Sequence, residues 1–117
     1  MLPLDQVEDL PGAEVFLELT DGQAIRFRIL SAEQGKALIS PRDGRPPHWV
    51  NTLRVHVPPD DKPTIPHYWD ITSRKCITAL LAYIDSGAHI GKVFTLRKEG
   101  HPPTCEYRLT VAPALGG

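Results

Sequence analysis

Cysteine is scarce: the 117 residues hold two, Cys76 and Cys105. That is too few for a disulfide scaffold, and without a CxxC pair there is no zinc-ribbon spacing. Both thiols are expected to be reduced and to serve as small core side chains. No apolar run approaches the roughly twenty residues that span a bilayer, and Met1-Leu2-Pro3-Leu4-Asp5 lacks a basic start. A soluble, cytoplasmic chain with no membrane partner is expected. Catalytic signatures are missing as well. There is no GxSxG elbow, and Gly87-Ala88-His89-Ile90-Gly91-Lys92-Val93 fails as a phosphate loop. It is one residue short, has no Ser or Thr after the lysine, and follows a helical pattern. His48, His56, His67, His89 and His101 are scattered through loops and strand ends with no HxxxH or HExxH, so no metal or other cofactor is expected. Asp43, Asp60 and Asp61 lie in Pro- and Lys-flanked loops and read as solvating charges. With no nucleophile and base at a recognisable spacing, the expectation is a protein that is not an enzyme.

What is present fits one domain. A hydrophobic content of 41% with 23% charged residues is globular in balance, and a chain of this length buries one modest core. Twelve prolines are the compositional outlier, and they gather in loops such as Pro46-Pro47, Pro58-Pro59 and Pro102-Pro103. The net charge of −1 argues against an indiscriminate polyanion binder, but its distribution is uneven. Residues 1–22 carry Asp5, Glu8, Asp9, Glu14, Glu18 and Asp21 with no Lys or Arg, so the rest of the chain is net basic. This asymmetry is compatible with a basic face set against an acidic segment, or with a mixed folded surface.

Residues 1–13 read as an irregular acidic arm, 14–111 as a β-rich domain, and 112–117 as a tail. Residues 14–20 and 23–30 flank Asp21-Gly22, a tight-turn signal that predicts a hairpin. In the second of these strands Ile25, Phe27 and Ile29 alternate with Arg26 and Arg28, which sends both guanidiniums to the face opposite the core. Residues 36–40 form a short strand that can continue the preceding one past a bulge. From Trp49 to Val57, Leu53, Val55 and Val57 share one parity, and Arg54 and His56 the other. A helix over 73–86 follows. It places Ile77, Leu80, Leu81 and Ile84 on one face, with Thr72 or Ser73 as cap and Gly87 as stop. Residues 92–98 and 104–111 make a second hairpin.

This order of strands, one helix, then a closing hairpin predicts a mainly β fold. It fits an OB-like barrel of five to six strands, with an α+β sheet carrying the helix on one face as the alternative. The segment Tyr68-Trp69-Asp70-Ile71-Thr72-Ser73, the helix, residues 91–100 and Tyr107-Arg108-Leu109-Thr110-Val111 together resemble the second half of small OB-type single-stranded-DNA-binding proteins of phage and mobile elements. The likeness covers about half the chain and implies a non-catalytic module that binds single-stranded nucleic acid, DNA preferred. That family type has no fixed motif, so the resemblance assigns no individual residue.

Single-strand binding needs aromatic platforms for bases and cations for phosphates. The candidates are Arg26 and Arg28 on one strand face, Arg42 and Arg45 in a Gly/Pro loop, Trp49 and Arg54 on the next strand, and Tyr68 and Trp69 before the helix. The opposing reading makes the tryptophans packing residues and the arginines a solvated face. The alternative function is a protein-interaction or assembly module, including self-association, docked through an edge strand or the Pro-rich loops. Salt dependence separates the two, because phosphate contacts release counterions and apolar docking does not.

Overall fold

Alternating apolar residues build six strands around one helix in the computed structural model, which describes residues 6–10, 12, 14–39, 44–100 and 106–113. The order is β1 Ala24–Phe27, β2 Ser31–Ile39, β3 His48–His56, β4 Tyr68–Ile71, α1 Arg74–Asp85, β5 Lys92–Glu99 and β6 Glu106–Pro113. They form two antiparallel three-stranded sheets, β1-β5-β6 and β2-β3-β4. The fold is therefore mainly β with one helix, and the sheets do not close into a barrel.

Only residues 28–30 separate β1 from β2, so one bent run of chain serves both sheets. The expected short strand at 36–40 belongs to this longer β2. At the bend Ile29 is buried, Leu30 N–H donates to the His56 carbonyl, and Arg28 donates from its amide and Nε to Asp61 Oδ2 at 2.9 and 3.2 Å. The C-terminal hairpin forms as expected, except that Ala112 and Pro113 extend β6 instead of belonging to a tail.

The hairpin expected at Asp21-Gly22 does not form. The turn is present, with Gly22 at φ 82°, but β1 pairs with β5 and not with residues 14–20. Local bonds explain the divergence. Thr20 N–H donates to Gln23 Oε1, so a side chain takes the place of the next ladder rung, while Gly22 N–H reaches Lys98 and Gly100 N–H reaches Asp21. Released from β1, residues 15–17 run beside the free edge of β4. Asp70 N–H donates to the Val15 carbonyl at 2.7 Å, and Leu17 N–H donates to the Asp70 carbonyl at 3.0 Å. A cleft of about 140 Å³ lined by Leu17, Ile71, Cys76, Leu96 and Tyr107 remains where the sheets face each other unpaired.

The core is a row of rings and aliphatic side chains. Phe27 stacks on its cross-strand partner Phe94 at 6.0 Å, Trp69 meets the edge of Phe27 at 5.9 Å, and Tyr83 meets Phe94 at 5.5 Å. This line ties β4, strands β1 and β5 of the other sheet, and the helix together. Buried Cys76, Ile77, Leu80 and Leu81 form the inner face of α1, which meets β3 and β6, one strand of each sheet. Ser73 caps the helix by accepting from Cys76 N–H, and Gly87 ends it at φ 76°, where a Cβ is strained. Burial pushes the Cys76 thiol pKa up, against a smaller lowering by its bond with Ser73.

The opposite face of β2-β3-β4 is covered by the N-terminal segment. Lys36 N–H donates to the Glu8 carbonyl at 3.0 Å, and Asp9 bridges Lys36 in parallel on the outer edge of β2. Leu10 lies on Gly35, Gly12 lies against the Tyr68 hydroxyl, and Val15 N–H donates to Asp70 Oδ2 at 3.2 Å. The segment is thus fastened at both edges of the sheet. A methyl group at Gly35 would sit 2.5 Å from Leu10 Cγ and 2.8 Å from the Glu8 oxygen. Gly35→Ala is expected to cost roughly 1–3 kcal/mol by lifting this segment. Denaturant melts and hydrogen exchange at the Lys36 amide check it, and wild-type values for both would show that the segment is not seated there.

Candidate nucleic-acid interface

The ladder between β2 and β3 runs from Ser31 opposite His56 to Ile39 opposite His48, but β4 pairs only with Leu53 to His56. The far end of β2 and β3 therefore continues past the sheet as a two-stranded ribbon. Val55, Leu53, Asn51 and Trp49 share one face of β3. The core covers the first two and stops, so Trp49 emerges 41% exposed opposite Leu38, which is 42% exposed. Lys36 lies diagonally from Trp49 and holds its ammonium 5.0 Å from the ring centroid. A cation at that distance is attracted to the ring face. Arg45 is exposed in the loop that leads into β3. Trp49, Lys36 and Leu38 thus come together on one projecting element, with Arg45 in the loop that leads into it; sequence reasoning did not single out Lys36 or Leu38. The diagonal relation of Lys36 to Trp49 depends on strand register, which the sequence did not specify.

Arg54 is corrected. It has the outward parity expected of it, yet it is only 2% exposed. Its Nε donates to Asp70 Oδ1 at 2.8 Å and its Nη2 to Asp70 Oδ2 at 3.1 Å, across the register that sets Arg54 opposite Asp70. The hydrogen bond to Asp70 raises the guanidinium above its ordinary pKa, against a lowering by burial, so Arg54 stays charged. The guanidinium also lies 4.2 Å from the Tyr68 ring, whose edge meets His56. His56 Nε2 in turn pairs with Glu33 Oε2 at 2.8 Å. Arg54, Asp70 and Tyr68 form a covered polar cluster beneath the N-terminal segment, and neither Arg54 nor Tyr68 offers a free surface.

The remaining candidates are dispersed. Trp69 is half-buried between Phe27 and the Lys62 ammonium, 5.8 Å from its ring. Lys62 is itself held by the carbonyls of Thr64 and Pro66 and the Thr64 hydroxyl, so Trp69 is part of the loop packing. Arg28 is partnered by Asp61 at the bend. Arg26 is exposed on β1, in the other sheet. Arg42 and Cys105 lie outside the described residues. Arg26, Arg28, Arg54 and Trp49, expected on one face, share no single face: Arg26 lies on β1, Arg28 at the bend, and Arg54 and Trp49 on opposite faces of β3. Among the described residues no helix is long and apolar enough to cross a membrane. Comparison with protein-family models, with curated proteins and with solved structures finds no match for the chain.

Proposed function

We propose that the protein is a non-catalytic module that binds single-stranded nucleic acid through the projecting end of the β2–β3 ribbon. The observation that carries this reading is Trp49, an exposed indole with a lysine ammonium on its ring and Arg45 in the adjoining loop. A stacking platform flanked by cations is what sequence-tolerant single-strand binding requires. The strand order supports an open OB-type fold: with β1 and β2 taken as one bent strand, the sequence of partners is β6, β5, β1/β2, β3, β4, with the helix between β4 and β5. In that fold the loop between the first two strands is one of those that bind oligonucleotides, and here the corresponding loop is the one preceding Trp49.

Fluorescence anisotropy of labelled single-stranded DNA, duplex DNA and RNA at two salt concentrations tests the proposal. Trp49→Ala is expected to weaken single-strand binding by roughly 5- to 100-fold, the equivalent of one lost stacking contact, without changing the salt slope. Absence of single-strand affinity at about 50 mM salt, where electrostatics are strongest, rejects the reading. Exposed Leu38 beside Trp49 would then favour a protein-docking surface at the same ribbon end.

A further inference from the structure

The outer face of the β1-β5-β6 sheet carries an arrangement that the proposed site does not use. Ile25, Phe27, Phe94 and Leu96 point into the core, which leaves the alternate residues facing out. Their register forms two adjacent rows. Ala24, Arg97 and Arg108 lie side by side in one, and Arg26, Thr95 and Thr110 in the next. Arg97 is thus directly opposite Arg108, and Arg26 is diagonal to Arg97, at a separation of about 7–8 Å in a regular sheet. Like charges set directly opposite destabilise a strand pair. Glu99 relieves Arg108 by a contact of 2.6 Å, while Glu106 stands opposite Glu99 one row further along. Arg26 and Arg97 are exposed and have no carboxylate partner among the described residues.

We infer that this face is a second phosphate-binding surface, with Arg97 at its centre, Arg26 and Arg108 on either side, and the hydroxyls of Thr95 and Thr110 beside them. Guanidiniums take phosphate oxygens through paired N–H groups, and threonine hydroxyls are regular phosphate donors. Among the described residues the face has no aromatic side chain, so it contacts the backbone and leaves bases alone. The inference rests on the reading above for its ligand, the sugar-phosphate backbone of a single strand. It extends the footprint from the ribbon to the opposite sheet. A bound phosphate offsets the Arg97–Arg108 repulsion, and the unliganded protein therefore carries a stability penalty at this point.

The test compares wild type, Arg97→Thr and the double variant Arg26→Thr with Arg97→Thr, using labelled oligothymidylate and, separately, inorganic polyphosphate. Threonine is a strong strand former, so the variants keep the sheet. Without ligand, Arg97→Thr is expected to raise Tm by roughly 2 °C through removal of the opposed charges. The double variant is expected to flatten the slope of log affinity against log salt by about 1.4, two single-strand phosphate contacts, where Trp49→Ala leaves it alone. An unchanged slope with oligothymidylate binding intact overturns the inference and leaves the proposed function standing. If wild type binds no oligothymidylate, the nucleic-acid reading fails. A polyphosphate-induced Tm rise that vanishes in the double variant then still supports a phosphate surface here, and no rise in wild type overturns it too.

Discussion

Replacing Asp70 by alanine is expected to destabilise the protein by about 3–5 kcal/mol, because it leaves the Arg54 guanidinium buried without its counter-charge. The loss goes beyond one ion pair. Asp70 Oδ2 also accepts from Val15 N–H, so the same substitution strips an amide of the covering segment. A domain of this kind has roughly 5–15 kcal/mol in total, so Asp70→Ala should remove a large part of that reserve. Denaturant melts of Asp70→Ala and of the double variant Asp70→Leu with Arg54→Met separate two explanations. If the penalty comes from an uncompensated buried charge, the apolar double variant recovers most of it. If the double variant is as unstable as Asp70→Ala, the cluster acts through its bonds to the N-terminal segment instead.

The second large effect is expected at Leu80, which is fully buried on the inner face of α1. Leu80→Ala should cost about 2–5 kcal/mol, the transfer of the lost methyl groups plus the cavity they leave between helix and sheets. Thermal or urea denaturation measures it, and a loss below about 1 kcal/mol would mean that the site collapses around the smaller residue or that the helix does not cover the core. Ile84, one turn further along and only partly buried, should respond less.

The helix was legible because its information is local. Ile77, Leu80 and Leu81 repeat at helical spacing, Ser73 and Gly87 sit at the two ends, and the structure places the helix within one residue of the expected bounds at each end. The C-terminal hairpin and the parity of β3 were legible for the same reason. Arg54 was not. Alternation says which side of a strand a residue faces, and it faced the expected side. What covers that side comes from residues 8–10, 12 and 14–17, about forty positions away in sequence and without any period of their own. The Asp21-Gly22 signal misled in a related manner: the turn formed, but Gln23 supplied the side-chain bond that turned the preceding segment away from β1. Trp49 was legible as an aromatic on a strand, whereas its exposure depends on where β4 stops. The opposition of Arg97 to Arg108 was not legible, because it depends on register across a loop.

The fastening of Glu8 and Asp9 to β2 and of residues 15–17 to β4 also bears on solubility. An open pair of sheets has strand edges with unspent amides and carbonyls, and each is a template on which another chain can add. The N-terminal segment supplies those groups with partners from the same molecule, at Lys36 on one edge and at Asp70 on the other. Glu8 and Asp9 are exposed beside the β2 edge, and charged side chains there oppose the addition of a second copy. Seen in this light, the segment is a guard against polymerisation, and a chain trimmed to begin at β1 would bring two bare strand edges into solution together with the covered polar cluster.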